Sequence, residues 1–205
     1  GESPLVYINS IFKNIRVIED KLSVNYTEPR FQFDIIPDNL TNCALDGYFQ
    51  SFKYFDHNRE NILSSIYFDH HVVDDIDYDQ LCSVHVRRGD YVKLKHYHLN
   101  LDLDYYNRAM DIINCDKFLV FSDDIDWCRS IFIGEQFVFS NEQDIPTIIY
   151  LMSRCSSNIM ANSSLSWWGA WLSNSMNKRV VAPDRWFVDD ISSDDIMPRE
   201  WILVK

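Results

Sequence analysis

The chain has 205 residues, 46% of them hydrophobic and 15% aromatic, with only 5 glycines and 6 prolines. That is enough apolar material for one ordinary domain, or one plus a small appendage, and it excludes a low-complexity chain. A formal net charge of −12, from 19 basic and 31 acidic side chains, argues against nucleic acid or an anionic membrane as partner.

From the start, Pro4 to Ile8 reads as a brief strand. Residues 9–22 show no clean period. Residues 23–45, with Pro29, Pro37 and alternating Phe31, Phe33 and Ile35, read as loop, short strand, loop. Gly47 to Phe55 is dense in aromatics, and a core cluster is the default reading. His57 to Phe68 carries Ile62, Leu63, Ile66 and Tyr67 at helical spacing. Residues 70–80 are acidic and turn-like. His70 and His71 lie among carboxylates there, and a solvated connection fits them better than a metal site.

Leu81 to Val86 is a short apolar run with β-branched Val84 and Val86, which predicts a buried strand. It runs into Arg87-Arg88-Gly89-Asp90. Val92 to Asn100 is a polar loop, and Leu103 to Cys115 fits a helix. Lys117 to Ser122, Gln136 to Ser140, Asn158 to Ala161 and Val180 to Ala182 are further strands. Helices at 125–132, 145–155 and 165–176 separate them. Strict alternation from residue 81 predicts an α/β fold, with a parallel sheet covered by helices on both faces. The domains are expected as a short N-terminal segment, 1–78, and a Rossmann-like domain, 79–205.

Five scattered cysteines form no CxxC pair, so neither a disulfide framework nor a zinc site is expected, and Cys82 and Cys155 are read as buried thiols. No stretch reaches 18 apolar residues and no signal peptide opens the chain, so a cytoplasmic location is expected.

Three strand ends are polar in a way that a core does not need. They are Arg87, Arg88 and Asp90; Ser122, Asp123 and Asp124; and Asn162, Ser163 and Ser164. In a parallel sheet all lie along one edge, where open α/β sheets bind ligands. Guanidinium groups fork onto phosphate oxygens. Asn162-Ser163-Ser164 opens a helix whose N–H groups favour an anion. Each feature also has an ordinary reading, as an ion pair or a helix cap. Together they describe a pocket for a nucleotide diphosphate. No Gly-x-Gly-x-x-Gly or Walker pattern is present, and Asp102-Leu-Asp104 heads a helix instead of ending a strand. No metal is expected, since two arginines and a helix terminus can neutralise a diphosphate.

His85-Val-Arg-Arg-Gly-Asp-Tyr91, Phe121 to Cys128 and Asn162 to Leu172 resemble, in order, motifs of the α-1,2-fucosyltransferases, glycosyltransferase family 11. Gly47-Tyr-Phe-Gln-Ser51 with Tyr54-Phe55, and Pro198-Arg-Glu-Trp201-Ile202, are similar to further family stretches. The resemblance covers roughly residues 45–205. It implies a GT-B-like donor-binding half of an inverting, metal-independent enzyme that moves L-fucose from GDP-fucose to a glycan hydroxyl, with no cofactor beyond that donor. Carried over, Arg87 holds the β-phosphate with Arg88 beside it. His85 and Asp90 shape that loop. Asp123 and Asp124 belong to the donor pocket, and Asn162, Ser163 and Ser164 to the diphosphate-facing loop. Trp167 and Trp168 pack their helix. For the base, Asp90 ranks ahead of His96 and His98.

The family's opening Gly-Gly-x-Gly-Asn-Gln turn is absent, and Leu165 stands where an aromatic is commoner. The N-terminal segment is therefore expected to form a partial acceptor side, completed by a larger parent chain or a second chain. A non-catalytic GDP-sugar or glycan-binding domain, and a transferase using another GDP-sugar, are the alternative readings.

Overall fold

The computed structural model describes residues 7, 10–15, 22, 24–68, 76–188 and 194–205. Its contacts divide into two units, Gly1–Tyr67 with Asp190–Arg199, and Phe68–Asp189 with Glu200–Lys205. Most of the strand expected at 4–8, and both His70 and His71, lie outside the described residues.

The first unit holds a two-stranded parallel sheet, β1 (Val24–Thr27) and β2 (Cys43–Asp46), in register from Val24↔Cys43 to Thr27↔Asp46. The strand expected around Phe31, Phe33 and Ile35 is not there. Pro29 and Pro37 bracket that stretch and remove ladder donors, so strands form on either side of it. Phe33 instead packs on Tyr54, with ring centroids 4.9 Å apart, and Ile35 is 75% exposed. The helix expected at 57–68 is reduced to α1 (Arg59–Ser65), after two short 3-10 turns. Asp195 fastens the returning chain: its carbonyl accepts from the Phe52 N–H and its carboxylate from the Phe33 N–H.

The second unit is the predicted α/β domain. Its sheet contains β3 (Leu81–Val86), β4 (Lys117–Ser122), β5 (Phe137–Phe139), β6 (Ser157–Ile159), β7 (Arg179–Pro183) and β8 (Ile202–Val204). The order is β5-β4-β3-β6-β7-β8, and every pairing is parallel. Counted from β3, this is 3-2-1-4-5-6, the Rossmann arrangement. The chain reverses direction of travel between β3 and β6, the switch point at which open sheets of this order form a crevice at the carboxyl ends. The strand β8 was not foreseen, because three residues near a terminus carry too little pattern.

Helices α2 (Gly89–Lys93), α3 (Leu103–Ile113), α4 (Ile125–Ile131), α5 (Ile145–Arg154) and α6 (Ser164–Leu172) connect the strands. The helical turn α2 occupies the start of the expected 92–100 loop. Asp102, Asp124 and Asp144 cap α3, α4 and α5, each accepting an N–H from the first turn; such caps contribute about 1 kcal/mol each. Alternation along the strands sends side chains to two cores. Cys82, Val84, Val86 and Val120 meet Tyr105, Tyr106 and Ala109 of α3 on one face. Leu119 and Phe121 meet Leu151 and Met152 of α5 on the other. A Cβ on Gly169 would stand 2.6 Å from the Met152 Cβ, so glycine there lets α5 and α6 touch. Trp167 and Trp171 are buried, and Trp167 also packs on Trp201. Cys82 and Cys155 are buried thiols, as expected. Among the described residues no helix is long and apolar enough to cross a membrane.

Candidate functional site

Strand β3 ends at Val86 and delivers Arg87 and Arg88 to the crevice. Arg87 is held by two carboxylates. Its Nη2 lies 2.7 Å from Asp90 Oδ1 and its Nη1 2.9 Å from Asp123 Oδ2. Asp123 also accepts the Arg88 backbone N–H, at 2.9 Å. The carboxylate thus fixes both the side chain of one arginine and the backbone of the next. Gly89 makes this approach possible, because a Cβ there would fall 2.4 Å from Asp123 Oδ2. Arg88 points elsewhere. Its guanidinium sits 3.7 Å above the centre of the Trp127 ring, and its Nε donates to Asp124 at 3.1 Å. Asp124 meanwhile caps α4 through the Trp127 N–H.

The ordinary readings of these residues therefore all occur: ion pairs and caps are present. They coincide in one constellation at the carboxyl edge. Arg87 and Arg88 against Asp90, Asp123 and Asp124 leave two positive charges facing three negative ones. The guanidinium hydrogen bonds at this edge are thus held by carboxylates of the same chain.

His85 lies under this edge and is buried. Burial, and then the nearby Arg87 charge, push its pKa down to about 3, so the ring is neutral. Its Nδ1 has no hydrogen-bond partner, and its carbonyl accepts from the Tyr106 hydroxyl at 3.3 Å. This placement suits a residue that shapes the loop from below.

On the other side of the crevice, Asn162 leaves β6. Its side chain is buried, and its Nδ2 donates to the carbonyls of Leu99 at 3.0 Å and Trp186 at 2.9 Å. The amide thus anchors the loop. Ser163 stands at the N-cap of α6, but its hydroxyl does not cap the helix. Ser164 is exposed in the first turn. The opening N–H groups of α6 have no intrahelical acceptor, as at any helix start.

Tyr91 had no role assigned to it from the residues alone. Its hydroxyl donates to the Asn162 carbonyl at 3.1 Å. Its ring stacks on His98, with centroids 3.8 Å apart and planes 5° apart, and the Arg87 guanidinium lies 5.3 Å from the ring centre. Its carbonyl accepts from Asn100 at 3.0 Å. His98 also forms a β-bridge with Phe187, and burial lowers its pKa. It is committed to packing, while His96 is exposed in the preceding turn. Tyr91 and Trp127 could have been suspected from one signal. Each lies within a helical turn of an expected site residue, at i+4 from Arg87 and i+3 from Asp124. Among the described residues, no three His, Cys, Asp or Glu side chains gather to hold a metal ion.

A profile described as Glycosyl transferase family 11 matches residues 6–205. The chain belongs to glycosyl transferase family 11. The match starts well before the first motif that carried the resemblance, so the first unit is family sequence too. Family relatives include the O-antigen biosynthesis glycosyltransferase WbnK of Escherichia coli, 33% identical over 97% of this chain and 72% of that protein. An alpha-1,2-colitosyltransferase of Escherichia coli is 37% identical over 60% of this chain, and the match spans 47% of that protein. Family 11 membership makes this a glycosyltransferase.

Proposed function

We propose that this family 11 protein transfers L-fucose from GDP-fucose to a hydroxyl of a glycan, with inversion and without a metal. The observation that carries the reading is the placement of Arg87. It stands at the crevice between β3 and β6, with the start of α6 at the exit of the second strand. A GDP leaving group gathers charge on its β-phosphate as the bond to C1 breaks. Arg87 is placed to take that charge, and the α6 N–H groups to share it. Arg88, locked between Trp127 and Asp124, adds field and holds the second wall. Asn162 and Ser163 set the course of the diphosphate-facing loop.

In the transfer itself, the acceptor oxygen forms its bond to C1 on the face opposite GDP. The C1–O bond to phosphate breaks, and its electron pair leaves with GDP. The acceptor proton goes to Asp90, whose carboxylate is half exposed beside Arg87. The sugar donor and the glycan acceptor are the partners this requires.

A second donor is favoured by one observation, the likeness to an alpha-1,2-colitosyltransferase. Colitose is L-fucose without its 3-hydroxyl, so a colitosyl donor would present the same diphosphate to Arg87. A donor screen separates the two. GDP-fucose, a GDP-colitose donor and several UDP-sugars are tested for nucleotide release with glycan acceptors. Release from GDP-fucose, abolished by Arg87→Ala, is the expected result. Release from the colitosyl donor alone transfers the mechanism to that sugar. GDP binding without any release makes this a binding domain. No binding of GDP at millimolar concentration refutes the site.

A further inference from the structure

The loop 47–51 belongs to the first unit. It leaves β2 at its carboxyl end, beside the exit of the parallel strand β1. Carboxyl ends of parallel strands are where open α/β sheets bind ligands. Tyr48 in this loop is 75% exposed. Its ring lies nearly parallel to that of Phe31, with centroids 5.7 Å and planes 14° apart. The stack sets the ring's orientation and leaves its outer side open.

The loop is held in a costly shape. Glu28 Oε2 accepts the N–H of Tyr48 at 2.8 Å and of Phe49 at 3.1 Å. A Cβ on Gly47 would lie 2.4 Å from the Glu28 Cβ, so glycine is needed for that approach. Phe49 has φ +46°, a left-handed backbone that an aromatic residue rarely adopts. Glu28 Oε1 and Gln50 Oε1 are buried without hydrogen-bond partners. Strain and unpaired polar atoms gathered in one short loop are typical of ligand sites.

We propose that Tyr48 is a stacking platform for a pyranose ring of the neutral glycan acceptor. The inference rests on the glycosyl-transfer reading. The chemistry selects the occupant. The side chains beside the loop offer acceptor oxygens, from Glu28 and Gln50, both only half-buried as residues. A sugar brings hydroxyl donors together with an apolar C–H face that fits an aromatic ring. An anion would meet the Glu28 carboxylate. The neighbouring cations are already engaged, Lys53 by Asp195 and Arg30 by Asp34.

The test uses the full chain with lactose as a neutral probe, read by saturation-transfer NMR, and a parallel GDP titration. Wild type gives a lactose signal. Tyr48→Ala reduces it by at least about fivefold, and Tyr48→Phe and Tyr48→Trp keep it. GDP affinity is the same in all four. Tyr48→Leu, apolar but not flat, decides the matter if the alanine variant melts early: loss of signal supports the platform. An unchanged signal in a folded Tyr48→Ala or Tyr48→Leu overturns it, as does absence of a lactose signal from wild type. Failure of GDP to bind while lactose still depends on Tyr48 sinks the donor reading and leaves the platform standing.

Discussion

The Tyr91 hydroxyl donates to the Asn162 carbonyl at 3.1 Å, and this one bond ties the exits of β3 and β6 across the crevice. The same ring lies beneath Arg87 and against His98. Tyr91 therefore sets where Arg87 stands relative to the α6 N-terminus. Tyr91→Phe keeps the stack and loses the tie. It should cost about 0.5–1.5 kcal/mol of stability and raise the donor KM about threefold to tenfold, with the acceptor KM unchanged. Steady-state kinetics with each substrate varied in turn would show it; equal changes in both KM values would refute the positioning role.

Asp90 holds the Arg87 guanidinium, so under the proposed function it competes with the donor for that group. Asp90→Asn removes that competitor and one negative charge near the diphosphate. GDP should therefore bind more tightly, by up to about fivefold, since exposed pairs are worth up to about 1 kcal/mol. Transfer should fall by about a hundredfold or more if the carboxylate takes the acceptor proton. Calorimetric titration and single-turnover rates measure the two halves separately. Weaker GDP binding would contradict the competition.

Gly89→Ala brings a Cβ into the space of Asp123 Oδ2. The Asp123 carboxylate must move, and it releases both Arg87 and the Arg88 N–H. Donor affinity should drop about tenfold, with a destabilisation of about 1–3 kcal/mol. GDP titration and a melting curve test this. Donor affinity equal to wild type would mean that Asp123 does not hold the arginines in working position.

His85 makes stability depend on pH. Burial and Arg87 lower its folded pKa to about 3, from 6.5. The unfolded chain therefore binds a proton first as pH falls, and the folded chain does not. The stability is fully present above pH 6.5 and is lost progressively between there and about pH 3. The loss amounts to about 2 kcal/mol by about pH 5. Melting temperatures of wild type and His85→Gln across that range should converge as pH falls. Parallel curves would show that His85 does not titrate this way.

Much of the second unit could be read directly. Strands such as Leu81–Val86 and Lys117–Ser122 have runs long enough to show, and the Asp caps mark where helices start. The first unit was harder. The alternation of Phe31, Phe33 and Ile35 looks like a strand, but prolines on both sides deny it a ladder, and its rings go to other aromatics. Tyr48 sits in an aromatic cluster that suggests a core, yet it is exposed, because nothing local tells which ring of a cluster faces out.

Period and turn chemistry by themselves determined an α/β domain with charged residues at its strand ends, because both act over a few neighbouring residues. Only the tertiary structure decided the strand order, and with it that β3 and β6 are neighbours separated by the crevice. It also decided which arginine is shared by two aspartates and which is locked over Trp127. Those choices depend on contacts between segments 35 to 75 positions apart. Local pattern carries no record of such pairings.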